Sequence, residues 1–173
     1  MWKTLRQIAR VGRISEAPTE ASAPQAQHSA ETSRIQADLL RLLGRALVIR
    51  VVDAGSCNGC ELEINALSNP YYNIEGLGIQ FAASPRHADL LLVTGPVSRH
   101  MELALRRTFD AMPDPKLVVA AGDCACHGGV FGEGYATCGR VSAVLPVDVT
   151  VPGCPPSPAV LLQGILRAVQ RRV

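Results

Sequence analysis

The stretch Ala46-Leu47-Val48-Ile49-Arg50-Val51-Val52-Asp53-Ala54-Gly55-Ser56-Cys57-Asn58-Gly59-Cys60 decides the fold. Its opening run, Ala46–Asp53, is almost continuously apolar and β-branched, which reads as a strand buried on both faces. It gives way at once to Gly55-Ser56-Cys57-Asn58-Gly59-Cys60. The same event recurs twice downstream: Lys116–Ala121 leads into Gly122-Asp123-Cys124-Ala125, and Val147–Val151 into Pro152-Gly153-Cys154-Pro155-Pro156. Strands of one parallel sheet deliver their following loops to the same edge, and open α/β sheets bind ligands outside those carboxyl ends. Four thiolates on three loops can therefore meet at one point. A four-cysteine set without histidine suits an iron–sulfur cluster or a zinc ion. Spacing leaves three readings open: a cluster, a structural zinc, or no metal, with Cys124 and Cys154 as small buried side chains. Against zinc, only Cys57 and Cys60 form a short-spaced pair, whereas zinc sites often join two such pairs.

Outward from that stretch, strand and helix alternate. Helix is expected from Glu61 to Leu67, broken at Asn69-Pro70. Leu77–Ala82 and Asp89–Thr94 read as strands, the latter stopped by Gly95-Pro96. Val97–Met112 reads as a helix with Met101, Leu105, Phe109 and Met112 inward. A turn at Pro113-Asp114-Pro115 precedes the Lys116–Ala121 strand, and Gly128–Arg140 is glycine-rich and irregular. Ser157 is the expected cap of a closing helix running through Arg172, with Pro158 in its first turn. The alternation predicts an α/β fold with a flavodoxin-like parallel sheet and helices on both faces. No Gly-x-Gly-x-x-Gly and no Walker A lysine follows the first strand, so a phosphate cradle is not expected.

Residues 1–33 read differently. Trp2, Leu5, Ile8 or Ala9 and Gly12 share one helical face, and Lys3, Arg6, Arg10 and Arg13 supply positive charge. This is an amphipathic segment suited to a membrane surface or a docking partner. Residues 15–33, rich in Ala, Pro, Ser, Glu and Gln, read as a disordered or extended tether. Ser33 then caps a helix carrying Ile35, Leu39, Leu42 and Leu43, which ends at Gly44. The division is thus 1–33, segment and tether, and 34–173, the α/β domain.

The whole chain of 173 residues is 47% hydrophobic with a net charge of +2. No basic stripe interleaved with aromatics points to nucleic acid. Its apolar runs fall far short of the roughly 20 residues that span a membrane. No secretory signal is evident, so a cytoplasmic setting with reduced thiols is expected, where the 6 cysteines are better explained by metal than by disulfides.

Seven pieces in order then carry a resemblance: Gly55–Ile64, Ala83–Asp89 (Ala-Ser-Pro-Arg-His-Ala-Asp), Thr94–Val97, Gly122–Ala125, Gly128–Phe131, Pro146–Val149 and Pro152–Pro156. Residues from about Ala46 to Ala168 resemble the small-subunit family shared by respiratory complex I and the membrane-bound nickel–iron hydrogenases. The resemblance implies one 4Fe–4S cluster held by Cys57, Cys60, Cys124 and Cys154. It implies an electron-transfer subunit seated against a large catalytic subunit, with a ferredoxin-like iron–sulfur subunit and membrane-arm subunits as further partners. The complex would sit on the inner face of the cell membrane. Complex I subunits carry two adjacent cysteines at the first motif, whereas Cys57-Asn58-Gly59-Cys60 is similar to the formate hydrogenlyase and hydrogenase-4 branch. A subunit donating electrons to quinone is the alternative. By the same resemblance, Glu63 and Glu61 are candidates for a proton relay at the large-subunit interface, and Arg86 and His87 stand near its cleft. The physical alternative for the glutamates is helix-dipole stabilisation alone. Cys126 and Cys138 depart from the family pattern and read as inert thiols; His127 reads as a hydrogen-bonding neighbour of the cluster.

Overall fold

The computed structural model describes residues 2–11, 37 and 44–171. The expected tether over 15–33, the helix from Ser33 to Leu43 apart from residue 37, and Arg172 lie outside the described residues. The chain divides into two units, Met1–Ser33 and Arg34–Val173. In the first, helix α1 spans Trp2–Val11, with Trp2, Lys3, Arg6 and Arg10 exposed.

The second unit is built on five parallel strands: β1 (Leu47–Asp53), β2 (Ile79–Phe81), β3 (Leu90–Thr94), β4 (Leu117–Ala121) and β5 (Val149–Val151). Their order is β2-β1-β3-β4-β5. This is the flavodoxin-like order, with its topological switch between β1 and β3. Every residue of β3 and β4 is buried, which is why Leu90-Leu91-Leu92-Val93-Thr94 and Leu117-Val118-Val119-Ala120-Ala121 show no polar alternation.

Helices cover both faces. On one, Ile64 of α2 (Gly59–Ala66) and Leu161 and Ile165 of α5 (Pro158–Gln170) pack on Leu47, Ile49, Leu90, Leu92 and Val119. On the other, Leu105 of α3 (Arg99–Asp110) and Val141 and Val144 cover Leu91, Val93, Val118 and Ala120. Met112 is buried with them, while Met101 and Phe109 pack at the edge of that cluster.

Some boundaries differ from the sequence reading. The edge strands β2 and β5 are shorter than expected, because only one neighbour pairs with each. Helix α3 begins after Ser98, whose hydroxyl accepts from the Met101 amide at 3.3 Å. Ser157 does stand at the N-cap of α5, but its side chain makes no cap bond. Helix α4 (Asp123–His127) was not expected: a single five-residue turn carries no readable period. Two carboxylates, buried Asp89 and half-buried Asp148, tie the amino-terminal rim of the sheet. Asp89 accepts from Arg45 and from the Val48 amide at 3.1 Å, and Asp148 accepts from the Val118 amide at 2.7 Å.

Candidate metal centre

At the carboxyl end of β1, Asp53 Oδ1 accepts from the Gly55 and Ser56 amides at 2.8 and 2.6 Å, bending the chain off the sheet. The turn then crosses the end of β3, which lies between β1 and β4. A side chain there would block it: a methyl at Gly95 would stand 2.4 Å from the Ser56 nitrogen. Glycine at 95, with φ +74°, is what allows the passage. The left-handed residue in the turn is Asn58 (φ 71°), not Gly59, which already belongs to α2. Asparagine tolerates that conformation through its short polar side chain.

The crossing brings Cys60 to the loop after β4. A methyl at Gly122 would lie 2.5 Å from Cys60 Sγ and 3.6 Å from the Gly153 carbonyl oxygen. The loops after β4 and β5 are stitched together: the Asp123 amide donates to Gly153 O at 2.8 Å, and the Gly153 amide donates to Asp123 Oδ1 at 2.7 Å. The loop after β5 closes back on the first turn, since Gly59 faces both Cys57 Sγ and Pro155. Cys57, Cys60, Cys124 and Cys154 therefore come from three turns that touch one another on one rim.

Their electrostatics are coupled. Burial pushes the Cys60 thiol up to about 12; Glu61 adds to this, and so do Cys124, Cys57 and Cys154. Cys124 is also raised, by burial first, then by Cys154 and Cys57. Charges on these sulfurs repel one another, so ionising them together calls for a cation among them. All six cysteines are free thiols. Among the described residues, no three His, Cys, Asp or Glu side chains are grouped for a single metal ion.

The other expected residues are placed as follows. The Cys126 thiol donates to Ala120 O at 3.6 Å; it is raised to about 11 chiefly by burial, and no other cysteine contributes. Cys138, buried on the α3 face, donates to Glu102 Oε2 at 3.3 Å. His127 is well exposed, with Nε2 3.7 Å from Asp123 Oδ1. Arg86 and His87 lie exposed in a short 3-10 turn (Pro85–His87) before β3, at the end of the sheet away from the cysteines. Glu63 is half-buried, without a hydrogen-bond or ion-pair partner among the described residues. Both oxygens of Glu61 are taken, by the Ser56 hydroxyl at 2.5 Å and by the Thr94 hydroxyl. No sequence pattern signalled this last contact.

Comparison with known proteins agrees with the architecture. The family described as NADH ubiquinone oxidoreductase, 20 Kd subunit, matches residues 57–168. The chain belongs to that family. It is 41% identical over 147 residues to a probable membrane-bound hydrogenase subunit of Pyrococcus furiosus, covering 83% of this chain and 88% of that one. It is 43% identical to formate hydrogenlyase subunit 7 of Escherichia coli over 78% of this chain, but spans only 53% of that protein. Among solved structures, one of the membrane-bound sulfane sulfur reductase, an archaeal respiratory membrane complex, aligns with a TM-score of 0.64 and 31% identity, covering 81% of this chain and 75% of that one. Members of the family so named are subunits of oxidoreductase complexes. No helix among the described residues is long and apolar enough to cross a membrane.

Proposed function

We propose that the chain is the electron-transfer subunit of a membrane-bound nickel–iron hydrogenase or a related complex, holding one 4Fe–4S cluster through Cys57, Cys60, Cys124 and Cys154. The observation that carries this reading is the meeting of four cysteines, from three turns that touch one another, on the carboxyl rim. When bound, the cluster supplies one-electron transfer.

The protein's own part is to hold and shield. Three turns fix the sulfurs, and side-chain-free Gly122 leaves Cys60 its space. Around this rim Leu62, Val130, Phe131 and Tyr135 are exposed, an apolar border suited to the large catalytic subunit. Glu63, unbonded beside it, is the residue we assign to proton passage. Ferredoxin-like and membrane-arm subunits complete the complex, with this chain peripheral on the inner face of the membrane.

Anaerobically purified protein is expected to be brown, to contain iron and acid-labile sulfide in equal amounts, and to give an electron-spin-resonance signal on reduction. A colourless zinc protein overturns the assignment. The alternative, a complex I-type subunit donating to quinone, draws on the family itself, while the Cys57-Asn58-Gly59-Cys60 spacing favours the hydrogenase branch. The co-purifying large subunit separates them: paired cysteines binding nickel support hydrogenase, and their absence supports quinone reduction.

A further inference from the structure

We infer that Glu61 is a strut and a charge for the cysteine turn: it locks the Cys57–Cys60 loop to the end of β3 and holds a negative charge beside Cys60. The inference rests on the ligand assignment proposed above.

The loop is pinned from below by Asp53, through the Gly55 and Ser56 amides. From above it is held by Glu61. Ser56 Oγ donates to Glu61 Oε2 at 2.5 Å and accepts from the Asn58 amide at 2.9 Å, so its one proton and one of its two lone pairs are committed. Thr94 Oγ1 donates to the other oxygen, Glu61 Oε1. Thr94 is fully buried, ends the central strand and sits in register with Asp53. It is therefore a fixed anchor, and the carboxylate bridges it to Ser56 in the turn. A first-turn carboxylate acting through the helix dipole alone needs no such partners. Asn58, at the N-cap of α2, gives no side-chain cap bond that could replace them.

Two consequences follow from this geometry. Glu61 uses one acceptor site on each oxygen to join the turn to the strand, so it is assigned as a positioning residue, and the relay is assigned to Glu63, which has no such partners among the described residues. A fixed negative charge next to a ligand sulfur also disfavours adding an electron, because cluster potentials follow local charge and hydrogen bonding.

The test compares full-length holoprotein with Glu61→Ala, Glu61→Gln, Thr94→Val and Ser56→Ala. Amide hydrogen exchange across residues 55–60 is expected to quicken in Glu61→Ala, Thr94→Val and Ser56→Ala, with the sheet core unchanged. Iron is expected to be lost faster on standing from Glu61→Ala. Glu61→Gln keeps the shape and one acceptor oxygen but not the charge; its NH2 can bond Thr94 Oγ1 once that hydroxyl turns its proton to Val52 O, 3.4 Å away, so it is expected to retain loop protection and iron while its midpoint potential moves positive. Wild-type exchange rates in Glu61→Ala, or an unmoved potential in Glu61→Gln, overturn the inference. Absence of iron from the wild-type protein would instead overturn the ligand assignment, and the exchange data would still decide the strut.

Discussion

Each sulfur carries its own consequence. Cys124→Ala and Cys154→Ala are expected to abolish the visible cluster spectrum and electron transfer through the complex, with far-ultraviolet circular dichroism retained. Cys138→Ala is expected to keep the spectrum, since its thiol faces Glu102 on the opposite side of the sheet from α5. That thiol offers a pH test. Its hydrogen bond, ahead of Arg106, holds the Glu102 carboxyl below its usual 4.5, while burial and then Glu102 hold the thiol above its usual 9.0. The depressed acid contributes stability that is present above 4.5 and lost as pH falls through its folded value; the raised thiol contributes stability present below 9.0 and lost as pH rises through its folded value. The stability difference between wild type and Cys138→Ala is therefore expected to be flat between those limits and to shrink on either side, as read by urea denaturation. The gathering of Cys57, Cys60, Cys124 and Cys154 on one rim was readable because each follows a strand. The contact of Glu61 with Thr94 was not, because only the pairing of β1 with β3 brings those two residues together.

At the scale of elements, packing of α5 on β5 sets a tight limit. A methyl on Gly164 would lie 2.2 Å from Val151 Cγ2. Gly164→Ala is expected to cost about 1–3 kcal/mol by overpacking, and Val151→Ala in the same chain to recover part of it. The clamp before β3 behaves in the opposite way, by leaving a gap. Asp89→Ala leaves the Val48 amide without its acceptor and releases the exposed Arg45 guanidinium to water, and urea midpoints should report a loss of about 1–3 kcal/mol. Central strands were legible as unbroken apolar runs because both faces are covered. Helix α4 was not, for want of length, and neither was the silent Ser157 cap, whose residue type signals an end of helix but does not enforce the bond.

Taken whole, the molecule separates its duties by rim. Carboxylates Asp89 and Asp148 secure the amino-terminal edge, and thiols occupy the carboxyl edge. Alternation alone identified that polarity, since every strand runs the same way. What it left open was how a turn from β1 reaches past β3, a matter decided by a bare backbone at Gly95. The turns carrying these cysteines leave the second, fourth and fifth positions in the row of strands. A ribosome releases Cys57 well before Cys154, so a nascent chain has no complete seat for the proposed cofactor until its last strand has docked. Cofactor insertion thus becomes a checkpoint on maturation, and brown colour an optical certificate that the sheet has closed its row.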